Sequence, residues 1–269
     1  MTTKQEWRQV VPALISIPSK PRRNGLTMMI DKGLGMHSFA ETLSMGAEYI
    51  DFIKLGFGTA LLYPSGILEQ KVRMAQERGI AIYPGGTLLE VAEMTETFEQ
   101  FLDQAVAWGI THVEISDGTI PLSAARRVEM IRSAAKRGLR VITEIGKKTK
   151  NHPVDADFVL EQMTRDLDAG AEYVIMEARD SGTSVGIFDA EGKVKEPLFT
   201  TLLSKLADPA RVIWEAPLVS QQQELLLRLG ATVNLGNVQA NDVITLAATR
   251  SGLRGDTLRS VVEKYYPAS

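Results

Sequence analysis

The chain has no cysteine, which excludes disulfide bridges and thiolate metal centres. It has three histidines, each where a structural role is expected: His37 opens a helix, His112 opens a strand, and His152 sits in a loop. No Ser-His-Asp constellation can be read from them. No apolar run approaches the roughly 18 residues that a membrane-crossing helix needs. The N-terminus is polar and mixed in charge, unlike a secretory signal, so the cytoplasm is the expected compartment. Net charge is also small, at −3. No global basic field favours nucleic acid or a membrane surface, and an anionic substrate would have to be held by local lysines and arginines.

What is present fits one globular unit with a large core: 269 residues, 44% hydrophobic and 23% charged. Residues 1–25 carry Pro12, Pro18, Pro21 and the basic run Lys20-Pro21-Arg22-Arg23. They read as an N-terminal extension with one short helix, the basic run being a solvated arm. From residue 26 to 269 a repeat takes over. Helical stretches end in Gly46, Gly79, Gly109, Gly138, Gly170 and Gly230, and each glycine feeds an apolar strand. The interval is roughly thirty residues, the signature of stacked strand–helix units. Eight strands are predicted over 26–31, 50–55, 80–83, 112–116, 140–145, 173–177, 211–215 and 232–235. Such a chain closes into a (β/α)8 TIM barrel in a single domain. No Gly-x-Gly-x-x-Gly turn follows the first strand, which argues against an open doubly wound sheet. One helix, 124–137, is predicted to start on a Ser123 cap and to bury Ala124, Val128, Ile131 and Ala135. A long segment follows the sixth strand, with a small hairpin expected over 189–193. Its length suits a lid.

The strand ends carry the chemistry. Strands of a parallel barrel are covered on both faces and read as apolar runs. A glutamate in such a run is tolerable only at the polar C-terminal mouth. Glu114, Glu144, Glu177 and Glu215 all end strands in this way, and Lys54, Asp31 and Lys32 stand at the ends of two others. Carboxylates gathered at one mouth repel each other unless cations lie among them. With no cysteine or histidine cluster, a hard cation suits them, Mg²⁺ before Zn²⁺. The lysines then have two tasks: one holds an anion, and one exchanges a proton with carbon. Asn234, Arg179 and Arg254 are further candidates for anion binding, from the loops after strands 6 to 8.

These segments resemble the phosphosulfolactate synthase family of the coenzyme M and sulfolactate pathways. The resemblance is carried by Met29-Ile30-Asp31-Lys32-Gly33-Leu34, Phe52-Ile53-Lys54-Leu55-Gly56-Phe57-Gly58-Thr59 and Tyr83-Pro84-Gly85-Gly86-Thr87. It continues through Val113-Glu114-Ile115-Ser116-Asp117-Gly118, Thr143-Glu144-Ile145-Gly146-Lys147-Lys148, Trp214-Glu215-Ala216-Pro217, Val233-Asn234-Leu235-Gly236-Asn237 and Gly252-Leu253-Arg254-Gly255-Asp256-Thr257. One position departs, with Gly236 where alanine is expected. The resemblance implies a lyase that adds sulfite to C3 of phosphoenolpyruvate with Mg²⁺, giving (2R)-O-phospho-3-sulfolactate. It also implies a homo-oligomer, a trimer among the forms expected. It points to Lys147 as the acid that protonates C2, with Lys148 second. Glu114, Glu144, Glu177, Glu215 and Asp31 would hold the metal, and Lys54, Lys32, Arg179, Asn234 and Arg254 the substrate. Two other readings stay open: a related enolate-forming lyase with another substrate, and a non-catalytic homologue of the heat-stress-associated plant proteins.

Overall fold

In the computed structural model, the described residues are 6–11, 14–146, 155–178, 181–183 and 186–265. The strands are β1 (Thr27–Asp31), β2 (Phe52–Leu55), β3 (Ala81–Pro84), β4 (His112–Ile115), β5 (Arg140–Ile145), β6 (Ala171–Met176), β7 (Val212–Glu215) and β8 (Asn234–Gln239). The helices are α1 (Trp7–Val10), α2 (Met36–Gly46), α3 (Ile67–Gln76), α4 (Gly86–Met94), α5 (Phe98–Ala107), α6 (Ala124–Lys136), α7 (Ala156–Ala169), α8 (Glu196–Lys205), α9 (Val219–Leu229), α10 (Val243–Arg250) and α11 (Gly255–Tyr265). The eight strands pair in the order β3-β2-β1-β8-β7-β6-β5-β4, and every ladder is parallel. The two ends of this order, β3 and β4, lie against each other without a backbone ladder among the described residues. The result is a nearly closed (β/α)8 barrel, as the repeat predicts.

Most helix stops follow the expected chemistry. Gly79, Gly109, Gly138, Gly170 and Gly230 take positive φ just past their helices. Gly46 differs, with φ −119° and a direct run into a 3-10 turn at Ala47–Tyr49. A Cβ there would lie 2.9 Å from Val243 Cγ1, so this glycine serves the close approach of α2 to α10. The strand prediction shifts most at β8, which runs past residue 235 to Gln239.

Two expectations are corrected. Ser123 does cap α6, accepting from Arg126 N at 3.1 Å. However, α6 buries Arg127, Met130, Ile131 and Ala134, while Ala124 and Ala135 are exposed. The face is rotated because the Arg127 guanidinium finds partners inside. A periodicity search scores that position as polar and turns the helix away from it. The basic run is not a solvated arm either. Arg22 Nε donates to Asp51 Oδ1 at 2.8 Å, and Lys20 Nζ donates to Ala47 O at 2.7 Å. Burial pushes the Lys20 ammonium down to about 8, against the pull of Asp51. The N-terminal segment is thus strapped to the loop before β2.

The lower barrel is filled by aromatic rings. Phe52 meets Tyr83, His112 and Tyr173 edge-on, at centroid distances of 6.4, 5.3 and 5.9 Å. Burial pushes His112 down to about 4, with Arg140 adding to the effect, so it is a neutral member of that core. This packing closes the barrel below and leaves the C-terminal mouth as the place for polar groups. Among the described residues no helix is long and apolar enough to cross a membrane.

Candidate active site

A cavity of about 370 Å³ opens at the C-terminal mouth. Its walls include Lys54 from β2, Glu114 from β4, Glu144 from β5, Glu177 after β6 and Glu215 from β7. These five residues are between 1% and 7% exposed. Lys54 Nζ sits among three of the carboxylates, 3.0 Å from Glu114 Oε1, 2.9 Å from Glu144 Oε2 and 3.2 Å from Glu215 Oε1. Strand ends that are far apart in sequence therefore share one ammonium group.

Other donors complete the cage. Gly86 N, at the start of α4, donates to Glu114 Oε1 at 2.8 Å, and Ala178 N donates to Glu215 Oε2 at 3.0 Å. The first of these bridges β3 and β4 where no ladder joins them. Gly86 must lack a side chain, since a Cβ would lie 2.0 Å from Ser116 Oγ. Behind β5, Arg127 donates to Asp166 through both Nε and Nη2, to Asp117 Oδ1 at 3.0 Å, and to the backbone oxygen of Glu144 at 3.0 Å. It fixes the end of β5 from outside the barrel.

The charges perturb one another strongly. Burial alone would push the Lys54 ammonium down, but Glu114, Glu144 and Glu215 outweigh it and hold it well above the ordinary lysine range. Burial pushes Glu215 up to about 7, against the pull of Lys54. Glu114 is raised for the same reason. Such opposed shifts within one cleft are the mark of a functional site rather than of stability engineering, because buried ion pairs stabilise poorly.

Not every expected residue reaches the cavity. Asp31 is fully buried beside it, but Oδ2 binds Lys71 Nζ at 2.6 Å, and Oδ1 accepts from Gly33 N and Leu34 N. Both its oxygens are thereby engaged in holding the turn after β1. Asn234 lies at the opposite, N-terminal end of β8. Its amide donates to Ala210 O and Val212 O and accepts from Leu26 N, which ties strand starts together and leaves nothing for substrate. Arg254 lies outside the cavity, with Nε 3.9 Å from Asp256. Lys32 is exposed at the turn after β1 and does not line the cavity. Lys147, Lys148 and Arg179 fall outside the described residues. Sequence reasoning passed over Lys71 and Arg127, since basic residues on helices read as solvent-facing. Their only sequence signal is their place on otherwise apolar helix faces.

The sequence profile of (2R)-phospho-3-sulfolactate synthase (ComA) matches residues 16–256. The chain belongs to that family. A phosphosulfolactate synthase of Methanocaldococcus jannaschii is 42% identical over 241 residues, covering 89% of this chain and 96% of the relative. That of Methanothermobacter thermautotrophicus is 39% identical over 244 residues, covering 90% and 94%. Protein HEAT-STRESS-ASSOCIATED 32 of Arabidopsis thaliana is more distant, at 19% identity over 275 residues and 93% of each chain. Among solved structures, a phosphonopyruvate hydrolase complexed with oxalate and Mg²⁺ superposes with a TM-score of 0.52 at 14% identity, covering 90% of this chain and 94% of that one. That likeness shows the barrel alone.

For a member of the phosphosulfolactate synthase family, the fit of Mg²⁺ to these residues matters. Among the described residues, no three histidine, aspartate or glutamate side chains form a ready-made metal cage, because Lys54 holds the point where three carboxylates meet. Mg²⁺ does not require such a cage. It usually takes one or two carboxylates and completes its shell with substrate oxygens and water. Glu114 lines the cavity, and its Oε2 is buried without a hydrogen-bond partner, an acceptor of the kind such an ion takes.

Proposed function

We propose that this chain, a lyase by family, adds sulfite to C3 of phosphoenolpyruvate and forms (2R)-O-phospho-3-sulfolactate. The observation that carries the reading is the buried cluster of Lys54 with Glu114, Glu144 and Glu215 at the barrel mouth. The sulfur lone pair bonds to C3, the double-bond electrons move to C2 and into the carboxylate, and a proton then adds to C2. Positive charge has to stand opposite that carboxylate as it gains electrons. Mg²⁺, held by Glu114 with Glu177 and substrate oxygens, would supply part of it. Lys54 supports the arrangement as a permanent cation. Its carboxylate neighbours hold its proton too tightly for it to serve as the acid.

The proton donor in this reading is Lys147, one residue past Gly146. Gly146 packs so closely on Glu177, a residue of the cavity wall, that a Cβ would fall 2.7 Å from Glu177 Cβ. Lys148 is the second choice, and Arg179, after Glu177, is a candidate for substrate oxyanions. A homo-oligomer is also part of the proposal. An apolar groove of about 500 Å³ between α4, α5 and the turn Gly56–Leu62 leaves Leu61, Val91 and Trp108 exposed, a surface suited to a second copy. Light scattering in solution tests that part, and a monomer at micromolar concentration would remove it.

The decisive experiment mixes purified protein, phosphoenolpyruvate, sulfite and Mg²⁺ and follows the phosphorus spectrum. A new, stable phosphate ester is expected, lost with Lys147→Ala and suppressed by EDTA until Mg²⁺ is restored. No product from the parent protein would refute the substrate assignment. Full activity of Lys147→Ala would refute the assigned acid.

A further inference from the structure

Asn237 lies at an irregularity of the barrel wall. Between β1 and β8 the register slips: Thr27 pairs with Leu235, but Met29 pairs with Val238. Between these pairs Met28 alone faces Gly236 and Asn237, and the extra residue makes a bulge. Asn237 lies in it at φ 52°. Bulges next to active sites re-aim a side chain, and a non-glycine residue at positive φ is a local strain that surrounding structure must sustain. The side chain so aimed lines the cavity and is 5% exposed. Its Oδ1 is buried without a hydrogen-bond partner, and among the described residues its amide nitrogen has none either. A buried amide oxygen without a partner is rare in a folded protein and costs stability, and the amide nitrogen beside it is left free to donate.

The composition of the cavity says what the free amide nitrogen would donate to. Four glutamates line the wall and as carboxylates accept, while the Lys54 ammonium already serves three of them. The neutral side-chain donors left for an anionic ligand are the hydroxyls of Thr87 and Ser181 and the Asn237 amide. We infer that Asn237 is a substrate-binding residue, donating from its amide to an anionic oxygen of the enol phosphate substrate, and that the β8 bulge exists to aim it. The inference rests on the substrate reading above and deepens it.

Glycine gives a clean test, because it adopts φ 52° without strain while removing the amide. Asn237→Gly should unfold at the same temperature as the parent or higher without ligand. Its KM for phosphoenolpyruvate should rise about 10- to 100-fold, as for a lost hydrogen bond to a charged group. Asn237→Asp keeps the shape but replaces donor by anion, and should raise KM further. Binding of phosphoenolpyruvate to the parent, measured by calorimetry with Mg²⁺, separates the two levels. If the parent does not bind it, the substrate reading fails. If the parent binds it and Asn237→Gly binds equally well, the inference about Asn237 is overturned. It is also overturned if the glycine variant loses stability without ligand, since the amide would then be structural.

Discussion

Replacing Lys54 by methionine tests the electrostatic account of the mouth most directly. The stem length is kept and only the charge is removed. In the parent, one ammonium lies within 3.2 Å of three carboxylates, none more than 5% exposed. Removing one partner of a single buried pair costs about 3–5 kcal/mol, and here three acids lose their cation together. Lys54→Met should therefore lose at least about 3 kcal/mol, a large part of the ~5–15 kcal/mol of a typical domain. The loss should also depend on pH. Without Lys54, the carboxyl groups of Glu114 and Glu215, already raised by burial from an ordinary 4.5, rise further. A folded-state carboxyl with a raised value stays protonated while the unfolded one ionises, so stability falls as pH climbs from about 4.5 through the raised value. The variant should thus lie closest to the parent near pH 5 and farthest from it near pH 8. Urea unfolding at both values, with EDTA present, measures this. Equal midpoints for variant and parent at pH 8, or a larger gap at pH 5, would refute the reasoning.

Two further substitutions probe the supports of the site. Lys71→Met strands Asp31 in a fully buried pair and should cost about 3–5 kcal/mol. Adding Asp31→Asn should recover part of it in thermal melts, and additive losses would show the two are not coupled. Gly86→Ala places a methyl 2.0 Å from Ser116 Oγ and 2.8 Å from Ser116 Cβ. It should lower stability by about 1–3 kcal/mol and lower turnover through the displaced Glu114. Ser116→Gly in the same chain should restore the melting temperature.

Much of this molecule is written in local pattern. Repeated apolar strands, helices stopped by glycine and glutamates at strand ends are each visible within a few residues, because backbone preference and burial act locally. Those signals determined the barrel, its polar end and the four glutamates that line the cavity. Pairings between distant segments are not local. That Lys54 serves Glu114, Glu144 and Glu215, that Asp31 turns to Lys71, and that Asn234 ties strand starts at the far end follow only from closure of the barrel. Arg127 and Lys71 carry charges that a one-dimensional reading assigns to solvent. Their partners, Asp166 and Asp31, arrive from other segments to bury them. The bulge that aims Asn237 is likewise a mismatch between two strands, a property that neither strand holds alone.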